Sequence, residues 1–188
     1  IPIHMAFLNE QQLKDLGLKS YGTNVLISDK ASIYNAKNIS IGHDVRIDDF
    51  CILSAGDGGI NIGNRVHIAC YTSLIGKANI FIGDFSVLSS KVAVYSSSDD
   101  FSGEYLISPM VDSKHSNVTS IPVHIDKYVV VGCGSVLLPG AQVAEGCALG
   151  SMTLLKEDTL PYKIYVGSPA RYLKDRSRNC AELAKQYE

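Results

Sequence analysis

The sequence predicts an all-β solenoid: a left-handed parallel β-helix with short helices at its two ends and one long excursion loop. Three observations predict it. Aliphatic residues recur every six positions, first as Ile41, Ile47 and Leu53, then as Ile62, Ile68 and Leu74, then as Ile82, Leu88 and Val94. The longest unbroken set is Ile125, Val131, Leu137, Val143, Leu149 and Leu155, and Ile27 and Ile33 begin the pattern earlier. Four residues after these anchors the side chain is small or β-branched: Ala31, Val45, Cys51, Val66, Thr72, Ser86, Val92, Ser98, Val129, Ser135, Ala141, Cys147 and Thr153. Glycine often follows the anchor directly, as at Gly42, Gly63, Gly83, Gly132 and Gly150. Neither a helical period of 3.6 nor a strand period of 2.0 gives this spacing over so long a stretch, whereas a chain turning a corner every six residues does.

Three such sides close a triangular coil of about 18 residues, with anchors pointing inward and small residues filling tight corners. Stacked coils then form parallel ladders over a continuous aliphatic column. The steps from Ile41 to Ile62 and from Ile62 to Ile82 are 21 and 20 residues, which places small bulges at Ala55-Gly56-Asp57-Gly58-Gly59 and Gly76-Lys77-Ala78-Asn79. From Val94 to Ile125 the gap is 31 residues, and 96–122 is a polar, turn-rich excursion containing Gly103, Pro109 and Pro122. Long irregular segments in compact domains are commonly functional, so this loop is the first candidate for substrate contact.

The division expected is therefore an N-terminal segment 1–20, a β-helix over 21–158 and a C-terminal cap over 159–188. Ile1–Met5 is too short and uncharged for a signal peptide and reads as an expression-vector remnant ahead of a natural start at Met5. Asn9 is suited to cap a helix over Glu10–Leu16 that ends at Gly17. A charged amphipathic helix is expected over roughly Tyr172–Gln186.

Composition narrows the class. Hydrophobic residues are 46% and charged residues 19% of the chain, enough for a sizeable core. A net charge of -2 gives no footprint for nucleic acid or an anionic membrane, and no apolar run reaches the roughly 18 residues that span a bilayer. Five scattered cysteines without a CxxC pair point to reduced thiols and a cytoplasmic setting.

The hexads, the stretch Gly132-Cys133-Gly134-Ser135-Val136-Leu137-Leu138-Pro139-Gly140 and the closing Val166-Gly167-Ser168-Pro169-Ala170-Arg171 together resemble bacterial hexapeptide-repeat acetyltransferases. Within them the resemblance is to galactoside and maltose O-acetyltransferases and to nucleotide-sugar N-acyltransferases of surface-polysaccharide (lipopolysaccharide) biosynthesis, over about residues 20–176. It implies a homotrimer with active sites in clefts between neighbouring prisms and acetyl-CoA, or a related acyl-CoA, as donor. Carried onto this chain, the donor groove runs along the C-terminal coils. Gly134, Ser135, Ser151 and Thr153 would border the pantetheine arm, mostly through backbone amides, and Lys156, Arg171 and Lys174 would meet the phosphates. No metal is implied.

The sequence departs from the sugar O-acetyltransferases at one informative point. Their excursion carries a histidine that acts as base for a sugar hydroxyl; here the matching stretch is Ser96-Ser97-Ser98-Asp99-Asp100. A hydroxyl needs a base near neutral pH, for which histidine is suited. An amine needs only to lose a proton, which a carboxylate can accept or relay. Asp99 and Asp100 supply carboxylates, with Glu104 nearby, so the loop favours an amino-sugar acceptor. His67, outward-facing between Val66 and Ile68, and His115, within the loop, are the other catalytic candidates. His43 and His124 fall on outward positions of plain hexads, and His4 belongs to the vector remnant. Cys70 and Cys133 have no adjacent histidine for an acyl-cysteine relay, and direct transfer from the thioester needs none.

The expected function is transfer of an acetyl or short acyl group from CoA to a sugar, foremost the amine of a nucleotide-linked deoxyamino sugar. The alternatives are O-acetylation of a sugar hydroxyl, a γ-type carbonic anhydrase with zinc on His67, His115 and His124, and a non-catalytic scaffold. The spacing of those histidines does not match the closely paired ligands of the zinc family.

Overall fold

The computed structural model describes residues 6–187, so the reading of Ile1–Met5, with His4, lies outside the described residues. The chain is a parallel β-solenoid of three faces. The first face stacks Ser20–Tyr21, Ile39–Ile41, Ile60–Ile62, Ile80–Ile82, Val123–Ile125 and Gln142–Val143. The second stacks Leu26–Ile27, Arg46–Ile47, His67–Ile68, Val87–Leu88, Val130–Val131, Ala148–Leu149 and Lys163–Val166. The third stacks Ser32–Tyr34, Ile52–Ala55, Ser73–Gly76, Ala93–Tyr95, Val136–Leu137 and Leu154–Leu155.

The hexad anchors stack on one another in register. On the second face Ile27 pairs Ile47, then Ile68, Leu88, Val131 and Leu149. On the third, Ile33 leads to Leu53, Leu74, Val94, Leu137 and Leu155. All of these except Ile33 are buried, and they form one core cluster. At about 25 cal/mol per Å² of apolar surface removed from water, this column is the main stabilising term.

The corners explain the rest of the hexad. The third residue after an anchor adopts left-handed backbone at Asp44, Phe50, Arg65, Tyr71, Phe85, Lys91, Tyr128 and Met152, and at Gly134, Gly140 and Gly146. The fourth turns back into the prism, where bulk does not fit. Polar residues there are tolerated because each donates to a carbonyl of the next coil or turn: Thr72 Oγ1 to Ser89 O at 3.1 Å, Ser86 Oγ to Asp126 O at 2.8 Å, Ser135 Oγ to Gly150 O at 3.0 Å. Cys51 Sγ points at Ala69 O at 3.2 Å, and burial pushes its thiol up to about 11. All five cysteines are free, with Cys51 and Cys147 buried and Cys133 exposed. Iodoacetamide is expected to label Cys133 in the native protein while Cys51 and Cys147 stay unmodified until it unfolds, as peptide mass spectrometry would read.

One expected corner residue is displaced. Ser98 lies not at an inner corner but in a two-residue ladder, Ser97–Ser98 against Thr119–Ser120, at the base of the excursion. Ser96 is the buried residue there, donating to Ala78 O at 2.7 Å. The hexad stops at Val94 because the chain leaves the prism before the next corner. The two bulges stand where the spacing placed them and stack on each other, with Gly56 N donating to Gly76 O and Gly58 N to Lys77 O, both at 2.9 Å.

At the N-terminal end, Glu10–Asp15 is helical under an Asn9–Gln12 capping box, and Leu13 buries against the core. The C-terminal expectation needs correction. Tyr172 does not begin a helix: Arg171–Asp175 is a strand antiparallel to Lys163–Val166, and the α-helix is only Asn179–Ala184, followed by a 3-10 turn at Lys185–Tyr187. Lys163–Val166 extends the second face and would otherwise leave an open edge, which Arg171–Asp175 covers. Arg176 then ties this segment down, its Nη1 donating to the carbonyls of Tyr128 and Gly146 at 2.8 Å and Cys147 at 3.1 Å.

Candidate active site

The excursion leaves the prism at the edge between the third and first faces. Its two carboxylates differ sharply. Asp100 accepts from the Ser102 amide at 2.7 Å, from the Ser102 hydroxyl, and from Asn117 Nδ2 at 2.8 Å. These bonds, the Ser102 hydroxyl first, hold its carboxyl below the usual carboxylate range. Asp100 thus ties the outgoing strand of the loop to the returning one. Asp99, next to it, is exposed, and its carboxylate makes no hydrogen bond among the described residues.

A depressed carboxyl contributes order above its unfolded pKa, and that order is lost as pH falls through the folded value. Amide exchange across 100–117 is therefore expected to accelerate on acidification below the carboxylate range, and in Asp100→Asn at neutral pH. Hydrogen–deuterium exchange mass spectrometry checks both.

The rest of the loop is unusually apolar on its outer side: Phe101 is 92% and Met110 90% exposed, with Leu106, Ile107 and Val118 also exposed. His115 ends a short 3-10 turn, Ser113–His115, and its carbonyl accepts from Leu106 N at 2.8 Å. It borders a shallow cleft of about 410 Å³ with Glu104 and Tyr105.

The edge between the second and third faces carries the other group. His67 projects from the second face with Nε2 2.8 Å from Asp48, which also accepts from Arg46 Nε at 2.7 Å. Partial burial works against the Asp48 charge, but the bonds from His67 and Arg46 outweigh it and lower its pKa. One coil on, Cys70 Sγ lies 3.3 Å from Ser90 Oγ. Phe50, Tyr71, Lys91, Gly134 and Met152 hold the same left-handed position in successive coils. Each amide reaches the coil before: Tyr71 N to Asp49 O, Lys91 N to Cys70 O, Gly134 N to Ser90 O and Met152 N to Cys133 O.

Toward the C-terminal end a cleft of about 260 Å³ is lined by Leu154, Lys156, Tyr165, Pro169, Ala170 and Arg171, with Glu157 and Asp158 beside them. Lys156 and Arg171, expected to meet phosphates, are brought together here on a partly apolar floor, a donor set that fits a phosphorylated, pantetheine-bearing ligand. Lys174 is not part of it: it sits on the outer hairpin strand opposite Ile164. Gly134 and Ser151 remain at the surface. Ser135 and Thr153 do not offer themselves. Ser135 N donates to Gly132 O, Thr153 N to Ser135 Oγ, and both hydroxyls to Gly150 O. The corner needs these groups for its own closure.

The histidines are dispersed. His43 Nδ1 accepts from Thr23 N at 3.0 Å, and His124 stacks on Phe81 at 4.5 Å. Among the described residues no three His, Cys, Asp or Glu side chains gather as metal ligands. No hydrogen bond or ion pair among the described residues joins Asp99, Asp100 or His115 to His67; the two groups belong to different edges of the prism. Ser89, Ser90 and Lys91 were not singled out from sequence, although their place just after the anchor Leu88 marked them as a corner.

No protein-family profile matches the chain. A dTDP-4-amino-4,6-dideoxy-D-glucose acyltransferase from Escherichia coli is 48% identical over 184 residues, 98% of this chain and 96% of that one. A variant of AntD, an N-acyltransferase from Bacillus cereus, in complex with dTDP-4-amino-4,6-dideoxyglucose and coenzyme A, superposes with a TM-score of 0.93 at 43% identity, covering 98% of this chain and 97% of that one. AntD in complex with dTDP and 3-hydroxybutyryl-CoA gives 0.92 at 44%, covering 97% and 96%. A maltose O-acetyltransferase from Clostridium difficile, 19% identical with a TM-score of 0.55 over 90% of this chain and 75% of that one, shares the fold alone. The chain is an acyltransferase and belongs to the dTDP-4-amino-4,6-dideoxyglucose acyltransferase family.

Proposed function

We propose that the chain transfers an acetyl or short acyl group from CoA to the amine of a nucleotide-linked 4-amino-4,6-dideoxy sugar, with Asp99 as the proton acceptor. The observation that carries this reading is an excursion with no histidine near its base and an uncommitted carboxylate at Asp99. It stands in a chain similar over its whole length to AntD, an N-acyltransferase. The AntD structures include substitutions at a serine and at an aspartate ten residues further along its chain. That spacing occurs twice here, from Ser89 to Asp99 and from Ser90 to Asp100. Asp100 is engaged in holding the loop, which leaves Asp99 facing outward.

The chemistry then balances simply. The sugar ammonium gives a proton to Asp99; the free amine attacks the thioester carbonyl; the C–S bond breaks as the C–N bond forms. The thiolate leaves as CoA and the amide sheds its second proton to solvent or to the leaving sulfur. Backbone amides at a coil corner are the simplest donors for the oxyanion. Lys156 and Arg171 hold the donor's phosphates. His67, braced by Asp48, is an acceptor-anchoring group at the same edge as Ser90.

A homotrimer completes this arrangement. The exposed apolar surface of the excursion around Phe101 and Met110 calls for cover, and a neighbouring prism brings the loop of one copy to the His67–Ser90 edge of the next. Nucleotide-linked sugars and acyl-CoA coexist in the cytoplasm, and the product suits surface-polysaccharide, including lipopolysaccharide, synthesis. No helix among the described residues is long and apolar enough to cross a membrane.

Release of CoA thiol from acetyl-CoA, measured against nucleotide-linked amino sugars, free amino sugars and plain glycosides, tests the reading. Turnover confined to the amines supports it. Turnover on glycosides, lost in His67→Ala or His115→Ala, would move the chain to hydroxyl acylation.

A further inference from the structure

We propose that the stacked ring pair Phe50–Tyr71 seats the base of the nucleotide-linked acceptor, with Lys91, one coil further along the same edge, meeting its diphosphate. This assignment rests on the acceptor reading above and names the part of the chain that recognises the nucleotide.

The two rings stack with centroids 5.0 Å apart and planes 23° apart, yet remain 46% and 55% exposed. They form one wall of a cleft of about 440 Å³, shared with Ala6, Phe7, Arg46, Asp48, Asp49 and Cys70. A paired aromatic wall beside hydrogen-bonding side chains suits a flat, heteroatom-rimmed ring. Stacking supplies affinity, and the polar groups select by edge. The solenoid places these rings in line with charge. Coils repeat about every 4.8 Å, so Lys91 stands about 5 Å beyond Tyr71 along the prism and about 10 Å beyond Phe50. Lys91 is exposed, and its ammonium has no ion-pair partner among the described residues. By contrast Lys30, before Phe50, is committed to Asp49 at 2.9 Å and lies 5.7 Å from the Phe50 ring centre.

Ring pair, free cation and the Ser89–Ser90 corner therefore follow one another along a single edge. A nucleoside diphosphate sugar presents base, phosphates and sugar in that same order. The donor cleft at Lys156 and Arg171 lies toward the C-terminal end, so donor and acceptor approach the middle coils from opposite ends.

Titration calorimetry with free dTDP and with thymidine, on the full-length protein and on Tyr71→Leu, Phe50→Leu with Tyr71→Leu, and Lys91→Gln, tests the assignment. Base stacking on an aromatic is worth about 1–3 kcal/mol, so roughly 5- to 150-fold. The ring variants should weaken dTDP and thymidine alike by that factor. Lys91→Gln should weaken dTDP and leave thymidine unchanged. Acetyl-CoA binding should hold in all of them, and melting and sedimentation should match the parent. Parental dTDP affinity in the double variant, or a changed oligomeric state, would overturn the assignment while acceptor turnover stood. A parent protein that binds no nucleotide and turns over no nucleotide-linked amine would instead overturn the acceptor reading, and this assignment with it.

Discussion

Replacing Asp99 with asparagine is expected to lower kcat about 10²- to 10⁴-fold, the usual worth of a positioned general base. Binding of acyl-CoA should be unchanged, because its proposed contacts are at Lys156 and Arg171, in the C-terminal cleft. The substitution keeps size and polarity and removes only proton-accepting power. Asp99 makes no hydrogen bond among the described residues that its loss would disturb, so loop exchange should match the parent. Asp100→Asn differs in kind: it should loosen 100–117 and reduce activity through disorder, with added KM. Stopped assays across pH 6–9 distinguish the two. Asp99→Asn should regain activity as pH rises and more of the amine is already free, whereas Asp100→Asn should not. The opposite assignment, with Asp100→Asn rescued at high pH and Asp99→Asn near parental, would exchange their roles.

The second large effect concerns the column. Leu88 is fully buried and stacked in register between Ile68 and Val131, one coil before the excursion departs. Leu88→Ala leaves a cavity that the neighbouring coils cannot close without breaking their own ladders. A loss of about 2–5 kcal/mol is expected. At roughly 2–4 °C per kcal/mol for a chain of this size, that is a fall in Tm of about 4–20 °C. In a solenoid each coil is stabilised chiefly by its two neighbours, so the damage should spread into the adjoining coils and the excursion they carry. Lys37→Ala, on the solvent side, should move Tm by little. Scanning calorimetry reads both, and a Leu88→Ala melt within 1 °C of the parent would mean the column is not what holds the coils.

The hexads were legible because the corner is a local property: a left-handed third residue and a small fourth recur wherever the chain turns, whatever the rest of the fold does. The excursion was legible as an interruption of that period. The C-terminal hairpin was not, since Tyr172–Asp175 is strand only because Lys163–Val166 presents an edge to cover, a demand that comes from tertiary structure. The site was readable in part. Asp99 stood out through the missing histidine, and Lys156 and Arg171 through the closing motif. Ser135 and Thr153 misled because the residues that suit a groove wall, small and polar, are the same ones a corner uses to close itself. Phe50 and Tyr71 are 21 residues apart in the sequence and become a pair only when coils stack.

The bond formed in the product tests the central claim most directly. Incubation with acetyl-CoA and dTDP-4-amino-4,6-dideoxyglucose, followed by mass spectrometry before and after hydroxylamine, separates an amide from an ester. A singly acetylated nucleotide sugar that survives hydroxylamine is the predicted result. An acetyl group removed by hydroxylamine, or acetylation that appears only with the sugar whose amine is replaced by hydroxyl, would contradict amine acylation.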